Sequence, residues 1–311
     1  MIHTVTLNPA IDKLLFLNEF KKNVTNRLTA VDDSIGGKGT HVSINLSALG
    51  ERNNAFGIAH GATGKKIISM LEEHPNIDVK FIHREMPESR TNFLMIEKNG
   101  DCCVLASRGV FVSKEDFDEF LDALKKELKP GDVLVLSGDT SNCYDSKIYN
   151  YMLQELNDLH LKVYLDASGA TLIDCLSASP YLIKPNQDEL SQICGKDLQT
   201  EEEIIAAIES LDTYNIEIIA VSLGGDGSIV KTPEGIFRVK PPAVSVNNTI
   251  GCGDCFLSGL IYGLEHEKPI AETLRLATAI SAATAESVYS IGFDMDRAGK
   301  LLSQVTIEKI K

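Results

Sequence analysis

A recurrence constrains this chain most: short apolar, β-branched runs, each followed by a stretch whose apolar residues have helical spacing. Asp132-Val133-Leu134-Val135-Leu136-Ser137 precedes an expected helix from Asp145 to His160. Lys162-Val163-Tyr164-Leu165-Asp166, Tyr181-Leu182-Ile183-Lys184 and Glu217-Ile218-Ile219-Ala220-Val221-Ser222 continue the alternation. Such runs suit strands covered on both faces, and therefore parallel strands joined by helical crossovers. The expected fold class is α/β, an open, doubly wound, mostly parallel sheet with helices on both faces. Four runs end in a polar residue, namely Ser137, Asp166, Lys184 and Ser222. Ligands of open parallel sheets bind beyond the carboxyl ends of the strands, so these residues either line one crevice or serve as ordinary caps and turns.

Two stretches break the alternation, at about 12–34 and about 90–106. Both have strand-like patterning without an intervening helix. In the second, Thr91-Asn92-Phe93-Leu94-Met95-Ile96-Glu97 runs into the turn signal Lys98-Asn99-Gly100-Asp101 and then Cys102-Cys103-Val104-Leu105-Ala106. These strands are expected to form a small sheet outside the main one, covering the crevice as a lid or pairing with another subunit. With 311 residues, 43% of them hydrophobic, the chain has room for one large α/β domain carrying such an appendage.

A formal net charge of −14 excludes general nucleic-acid binding, which needs a basic face, but not small anions held by a few placed cations and amides. Met1-Ile2-His3-Thr4-Val5 has no basic segment before an apolar stretch, and no apolar run approaches the roughly 20 residues that span a bilayer. Seven cysteines without framework spacing suggest free thiols in a reducing compartment, so a cytoplasmic protein is expected. Cys252 and Cys255 form a C-x-x-C pair. With no second pair to complete a four-thiolate zinc site, the neighbouring glycines favour a phosphate loop instead.

That loop, Asn248-Thr249-Ile250-Gly251-Cys252-Gly253-Asp254-Cys255-Phe256, puts a carboxylate among small residues where an apolar helix begins. Gly251 and Gly253 let backbone N–H groups approach an anion, the helix N-terminus adds partial positive charge, and Asp254 is placed to accept a proton from an attacking hydroxyl. The alternative is a turn with an N-cap. Gly36-Gly37-Lys38-Gly39 precedes another helical pattern, and Lys38 is long enough to reach a phosphate, although the spacing is not that of a Walker A loop. Asn186-Gln187-Asp188-Glu189 reads equally as a helix cap with its N3 partner and as a magnesium-related pair. Ser222-Leu223-Gly224-Gly225-Asp226-Gly227 reads as a nucleotide-side turn or as a hairpin.

Taken in order, these elements resemble the PfkB carbohydrate kinases of the ribokinase-like fold. The resemblance spans nearly the whole chain. It rests on Asn8-Pro9-Ala10-Ile11-Asp12, residues 36–39, Arg90 before a lid strand, Ser137-Gly138, Asp166-Ala167-Ser168-Gly169, Lys184-Pro185-Asn186 with Glu189, Ser222-Leu223-Gly224 with Gly227, and residues 251–254. The opening Thr4 to Asp12 and the lysine at 38 resemble the 1-phosphofructokinase and tagatose-6-phosphate kinase branch. What this resemblance implies is a single kinase domain over 1–311 that uses ATP and Mg2+ and phosphorylates a sugar phosphate; the lid strands leave a homodimer formed through them open, and the oligomeric state is not fixed by the sequence. Asp254 would be the general base, with the amides around Gly251, Cys252 and Gly253 stabilising the transferring group. Asp12, Gly37, His41 and Ser137 would face the sugar; Lys38 and Arg90, with Arg27 as a weaker candidate, would hold the sugar's phosphate. Lys184, Asn186, Ser222, Gly224 and Gly227 would lie along the nucleotide, and Asn186 and Glu189 would act on magnesium through water.

Two departures fall in sugar-facing segments. His41 stands where the family often has Asn, and Ser137-Gly138-Asp139-Thr140-Ser141-Asn142 replaces a Ser-Gly-Ser-Leu-Pro-Pro-Gly loop. Fructose 1-phosphate, tagatose 6-phosphate and fructose 6-phosphate all stay open as substrates. So do two other readings, a non-catalytic sugar-phosphate sensor and a kinase of a free sugar or nucleoside.

Overall fold

The computed structural model describes residues 1–138 and 140–311. In chain order its elements begin with β1 (Ile2–Thr6), β2 (Ala10–Leu17), β3 (Ala30–Gly36), α1 (Lys38–Ala48), β4 (Asn53–His60), α2 (Gly61–Glu72), β5 (Ile77–Arg84), β6 (Arg90–Glu97) and β7 (Cys102–Leu105). They continue with α3 (Lys114–Glu127), β8 (Val133–Ser137), α4 (Ile148–Glu155), β9 (Lys162–Asp166), α5 (Gly169–Cys175), β10 (Leu182–Ile183), α6 (Gln187–Cys194), α7 (Glu201–Ser210) and β11 (Ile218–Ser222). Last come β12 (Ser228–Thr232), β13 (Gly235–Lys240), α8 (Cys252–Glu265), α9 (Ile270–Ala285), α10 (Met295–Leu301) and β14 (Thr306–Lys309).

Ten strands form the main sheet in the order β14-β13-β12-β11-β10-β9-β8-β1-β4-β5. From β11 to β5 all neighbours are parallel, and β12, β13 and β14 add an antiparallel edge. Strand order reverses direction about β1, which creates a switch point at its carboxyl end. Period-two alternation splits each central strand between two cores. Leu134, Leu136, Leu165, Ile219 and Val221 pack on the face covered by α3 to α7, while Val133, Val135, Tyr164, Ile218 and Ala220 pack on α1, α8, α9 and α10. Both faces are thus buried, as the apolar runs imply. The helix expected from Asp145 starts later, because the Asp145 side chain accepts a hydrogen bond from the Lys147 N–H at 2.9 Å and turns the chain first.

The two interrupting stretches form a separate four-stranded sheet, β3-β2-β6-β7. Its root is pinned by Ile11 and Ile35, which join Ile44 of α1 and Ile67 and Leu71 of α2 in one apolar cluster. Farther out, Leu14, Leu94 and Ile96 bury one face of the sheet together with Phe16 and Ile250, the latter from the loop before α8. This small sheet therefore closes over that loop as a lid.

Helix α8 lies close against α9 because small residues face each other there. A Cβ placed on Gly259 would stand 2.5 Å from the Cα of Ala277. Exposed Gly299 in α10 has open space around it. Gly259→Ala is expected to lower stability by about 1–3 kcal/mol through overpacking, whereas Gly299→Ala raises it by about 0.5–1 kcal/mol through helix propensity. Urea unfolding midpoints of the two variants measure both effects.

Candidate active site

The loop after Asn248 enters α8 through Gly251, which has a φ of 82° in the left-handed region. A side chain there would overlap the carbonyl of Ser290, so the approach of these two backbone segments requires glycine. Asp254 follows in the first turn of α8, only 6% exposed, where the unpaired N–H groups of the helix start favour a negative charge. Its Oδ2 lies 2.7 Å from Nδ1 of His41, whose Nε2 lies 2.9 Å from the carbonyl oxygen of Ile35 in β3. Burial of the imidazole opposes its charging. The hydrogen bond and charge of Asp254, the charge of Asp12 and the Ile35 carbonyl outweigh that and raise its pKa above the ordinary 6.5. His41, expected to face sugar hydroxyls, instead has both ring nitrogens engaged by the protein.

On the sheet side, Asp166 ends β9 with 1% exposure and faces two lysines. Lys38 donates to its Oδ1 at 3.1 Å, and Lys184 pairs with Oδ2 at 3.2 Å by proximity, without hydrogen-bond alignment. Burial would push the Asp166 carboxyl up, but Lys184 and Lys38 hold it below the ordinary range. Lys38 is raised in turn, chiefly by Asp166 and, against burial, further by Asp254 and Glu189. Lys184 reaches toward the start of α8, since its Nζ stands 3.4 Å from where a Cβ on Gly253 would be. Two lysines expected to serve different ligands thus meet on one carboxylate, and the cluster carries one net positive charge. Ser137, opposite Asp166 in the sheet register, has a buried Oγ without a hydrogen-bond partner among the described residues.

Asp12 lies in the lid strand β2 and is buried beside its register neighbour Asn92, whose side-chain N–H donates to Oδ1 at 2.7 Å. The Ser107 N–H donates to the Asn92 Oδ1 at 3.2 Å, which fixes the amide's orientation. Asn92 did not stand out in the sequence, and Asp166 did so as a strand-end crevice residue and motif element but not as the shared partner of two lysines. Arg90, beside Ala10 in register, donates through Nε and Nη2 to the Asn8 carbonyl at 3.2 and 3.0 Å. Arg27 is exposed on the connection between β2 and β3, and no hydrogen bond or ion pair among the described residues ties it to the other site residues. Gly37 caps α1 at the mouth of the crevice. Of the altered loop at 137–142, Asp139 lies outside the described residues.

Asn186 and Glu189 form a reciprocal capping box at α6, with Glu189 N–H donating to Asn186 at 2.7 Å and Asn186 N–H donating to Oε2 of Glu189 at 2.8 Å. Among the described residues no cluster of three or more His, Cys, Asp or Glu side chains stands ready to cage a metal. Asn186 bridges to Ser222 across the sheet end, and residues 223–227 form the turn of the β11–β12 hairpin, with Gly224 and Gly227 at positive φ. Cys252 and Cys255 are free thiols. Burial pushes Cys252 up to about 11, with Asp254 adding to the shift, so it is not a ready nucleophile.

The carboxyl ends of β8, β9, β10 and β11, the α8 start and the lid therefore converge on one crevice. Residues 5–296 match the sequence profile described as pfkB family carbohydrate kinase. The 1-phosphofructokinase of Bacillus subtilis (strain 168) is 31% identical over 287 residues, which span 92% of this chain and 93% of that protein. The tagatose-6-phosphate kinase of Staphylococcus epidermidis (strain ATCC 12228) is 29% identical over 313 residues, covering 100% of both. Phosphofructokinase-2 of Escherichia coli, solved with substrates and products, matches in fold with a TM-score of 0.92 at 23% identity, covering 97% of this chain and 98% of that one. Its likeness gives the ribokinase-like architecture expected from the sequence. With a profile match across nearly its whole length, the chain belongs to the pfkB family of carbohydrate kinases, phosphotransferases with an alcohol group as acceptor.

Proposed function

We propose that the chain, acting as one kinase unit over 1–311, transfers the γ-phosphoryl group of ATP to a hydroxyl of a ketohexose monophosphate, with Asp254 as general base. The observation that carries this reading is one buried carboxylate at the start of α8, set beside two lysines that share Asp166. The names of the two relatives near 30% identity support the substrate class. As the sugar hydroxyl attacks the γ-phosphorus, its proton passes to Asp254 and the bond to the bridging oxygen of ADP breaks. Negative charge on the transferring oxygens is met by Lys184, Lys38 and the N–H groups of Gly251, Cys252 and Gly253.

Asp12, oriented by Asn92, and Gly37 hold sugar hydroxyls, with Ser137 at the far wall. Arg90 meets the sugar's own phosphate, with Arg27 as the second cation on that side. Ser222, Gly224, Gly227 and Asn186 run along the nucleotide. Magnesium, held through water by Asn186 and Glu189, would neutralise phosphate charge when bound. Among the described residues no helix is long and apolar enough to cross a membrane, and the free cysteines support a cytoplasmic setting. The outer face of the lid exposes Val31, Phe93 and Leu105, which share one side of neighbouring strands. A second copy meeting this face through its own lid is the partner proposed, because a self-complementary apolar patch closes a twofold dimer.

Four variants have expected outcomes. Asp254→Asn lowers kcat by about 10²- to 10⁴-fold with ATP affinity little changed, as measured by ADP release and nucleotide titration; near-normal turnover would overturn the base assignment. The same release assay, run on a panel of free and phosphorylated sugars, gives the sensor reading if no sugar raises it above that variant. Arg90→Ala raises KM for the phosphosugar about tenfold or more with kcat nearly kept, whereas Lys38→Ala lowers kcat, which separates the sugar-phosphate cation from the transfer-site cation. Leu105→Asp shifts the sedimentation coefficient toward that of a monomer, and an unchanged value would place any dimer contact elsewhere.

A further inference from the structure

His41 joins two parts of the site that come from different layers of the fold, the lid strand β3 and the start of α8. Its ring is buried in α1, its Nε2 is bonded to the Ile35 carbonyl of the lid strand β3, and its Nδ1 to the Asp254 carboxylate of α8. A carbonyl oxygen only accepts, so Nε2 carries a proton. Nδ1 faces a carboxylate oxygen at 2.7 Å, a separation that also needs a proton between the two atoms. The charged groups facing the ring are Asp254 from α8 and Asp12 from β2, both acidic, while Lys38 stands back toward the start of α1. The surroundings therefore favour a doubly protonated ring next to an ionised Asp254.

We infer that His41 is a positioning residue, an imidazolium strap that fixes Oδ2 of Asp254 and leaves Oδ1 for the acceptor hydroxyl while tying the base to the lid strand. This rests on the kinase reading above, in which Asp254 is the base. Asn at this position can donate one hydrogen bond to a carboxylate but has no charge and no second arm for Ile35. A neutral imidazole that keeps its proton on Nε2 turns a lone pair toward Oδ2, so loss of the Nδ1 proton expels the carboxylate from its place.

Two consequences have a defined sign. Because the folded-state pKa of His41 is raised, its contribution to stability is complete below the ordinary 6.5 and is lost as pH rises through the higher folded value. Activity follows the same direction, with kcat falling on the alkaline side.

The test is a pH profile of kcat and kcat/KM for the wild-type protein and for His41→Asn, from about pH 6 to about pH 9, together with 15N NMR of the wild-type imidazoles. Expected are two protonated ring nitrogens on one buried histidine at neutral pH, an alkaline limb in the wild type that His41→Asn lacks, and a kcat about tenfold lower in the variant below that limb. A neutral His41 at pH 7, or an unchanged profile in His41→Asn, overturns the strap. The NMR measurement reads the pair without turnover, so it holds even if His41→Asn folds poorly. Near-normal turnover in Asp254→Asn overturns the base assignment on which the strap rests instead, which keeps the two failures apart.

Discussion

A carboxylate with almost no solvent contact stays ionised only if cations accompany it into the interior, and that requirement organises the centre of this protein. Asp166 reaches its position at the end of β9, and Lys38 and Lys184 are drawn to it from α1 and from the end of β10. Removing one cation would leave Asp166 paired with the other and abolish the surplus positive charge, and removing both would leave the buried carboxylate uncompensated. The burial thus fixes where α1 begins, where β10 ends and how both face the start of α8. The arrangement resists rearrangement because its cost of desolvation was met on folding, and the positive charge it holds is ready before any phosphate arrives.

The lid depends on that centre through backbone and side chain together. The apolar root at Ile11 and Ile35 sets the strands on α1 and α2, and the strand register brings Asn92 beside Asp12. Period-two alternation then turns Leu14, Leu94 and Ile96 inward over Ile250. One element therefore presents a polar pair to the crevice and an apolar cover to the loop that starts α8.

Much of this was legible in the chain because it is local. The β-branched runs gave parallel strands, the polar residues at their ends fell along one sheet edge, and Asn186 with Glu189 gave a capping box from a spacing of three. The Ser222 to Gly227 segment was ambiguous from its glycines, and the antiparallel pairing of β11 with β12 resolved it as a hairpin turn. What local pattern does not carry is which distant side chains meet. Lys38 finds Asp166 across 128 residues, Asn92 finds Asp12 across 80, and His41 finds Asp254 across 213. Each pairing is decided by strand order and helix packing, so Lys38 and Lys184 looked like members of separate sites.

The contact between the inner lid face and Ile250 is made of hydrocarbon, which gives the crevice a temperature dependence of its own. Opening the lid uncovers Leu14, Leu94 and Ile96, and the penalty for wetting such surface near room temperature is largely entropic. That penalty shrinks on cooling. The hydrocarbon contact that holds the lid over the loop before α8 is therefore weaker in the cold than at room temperature.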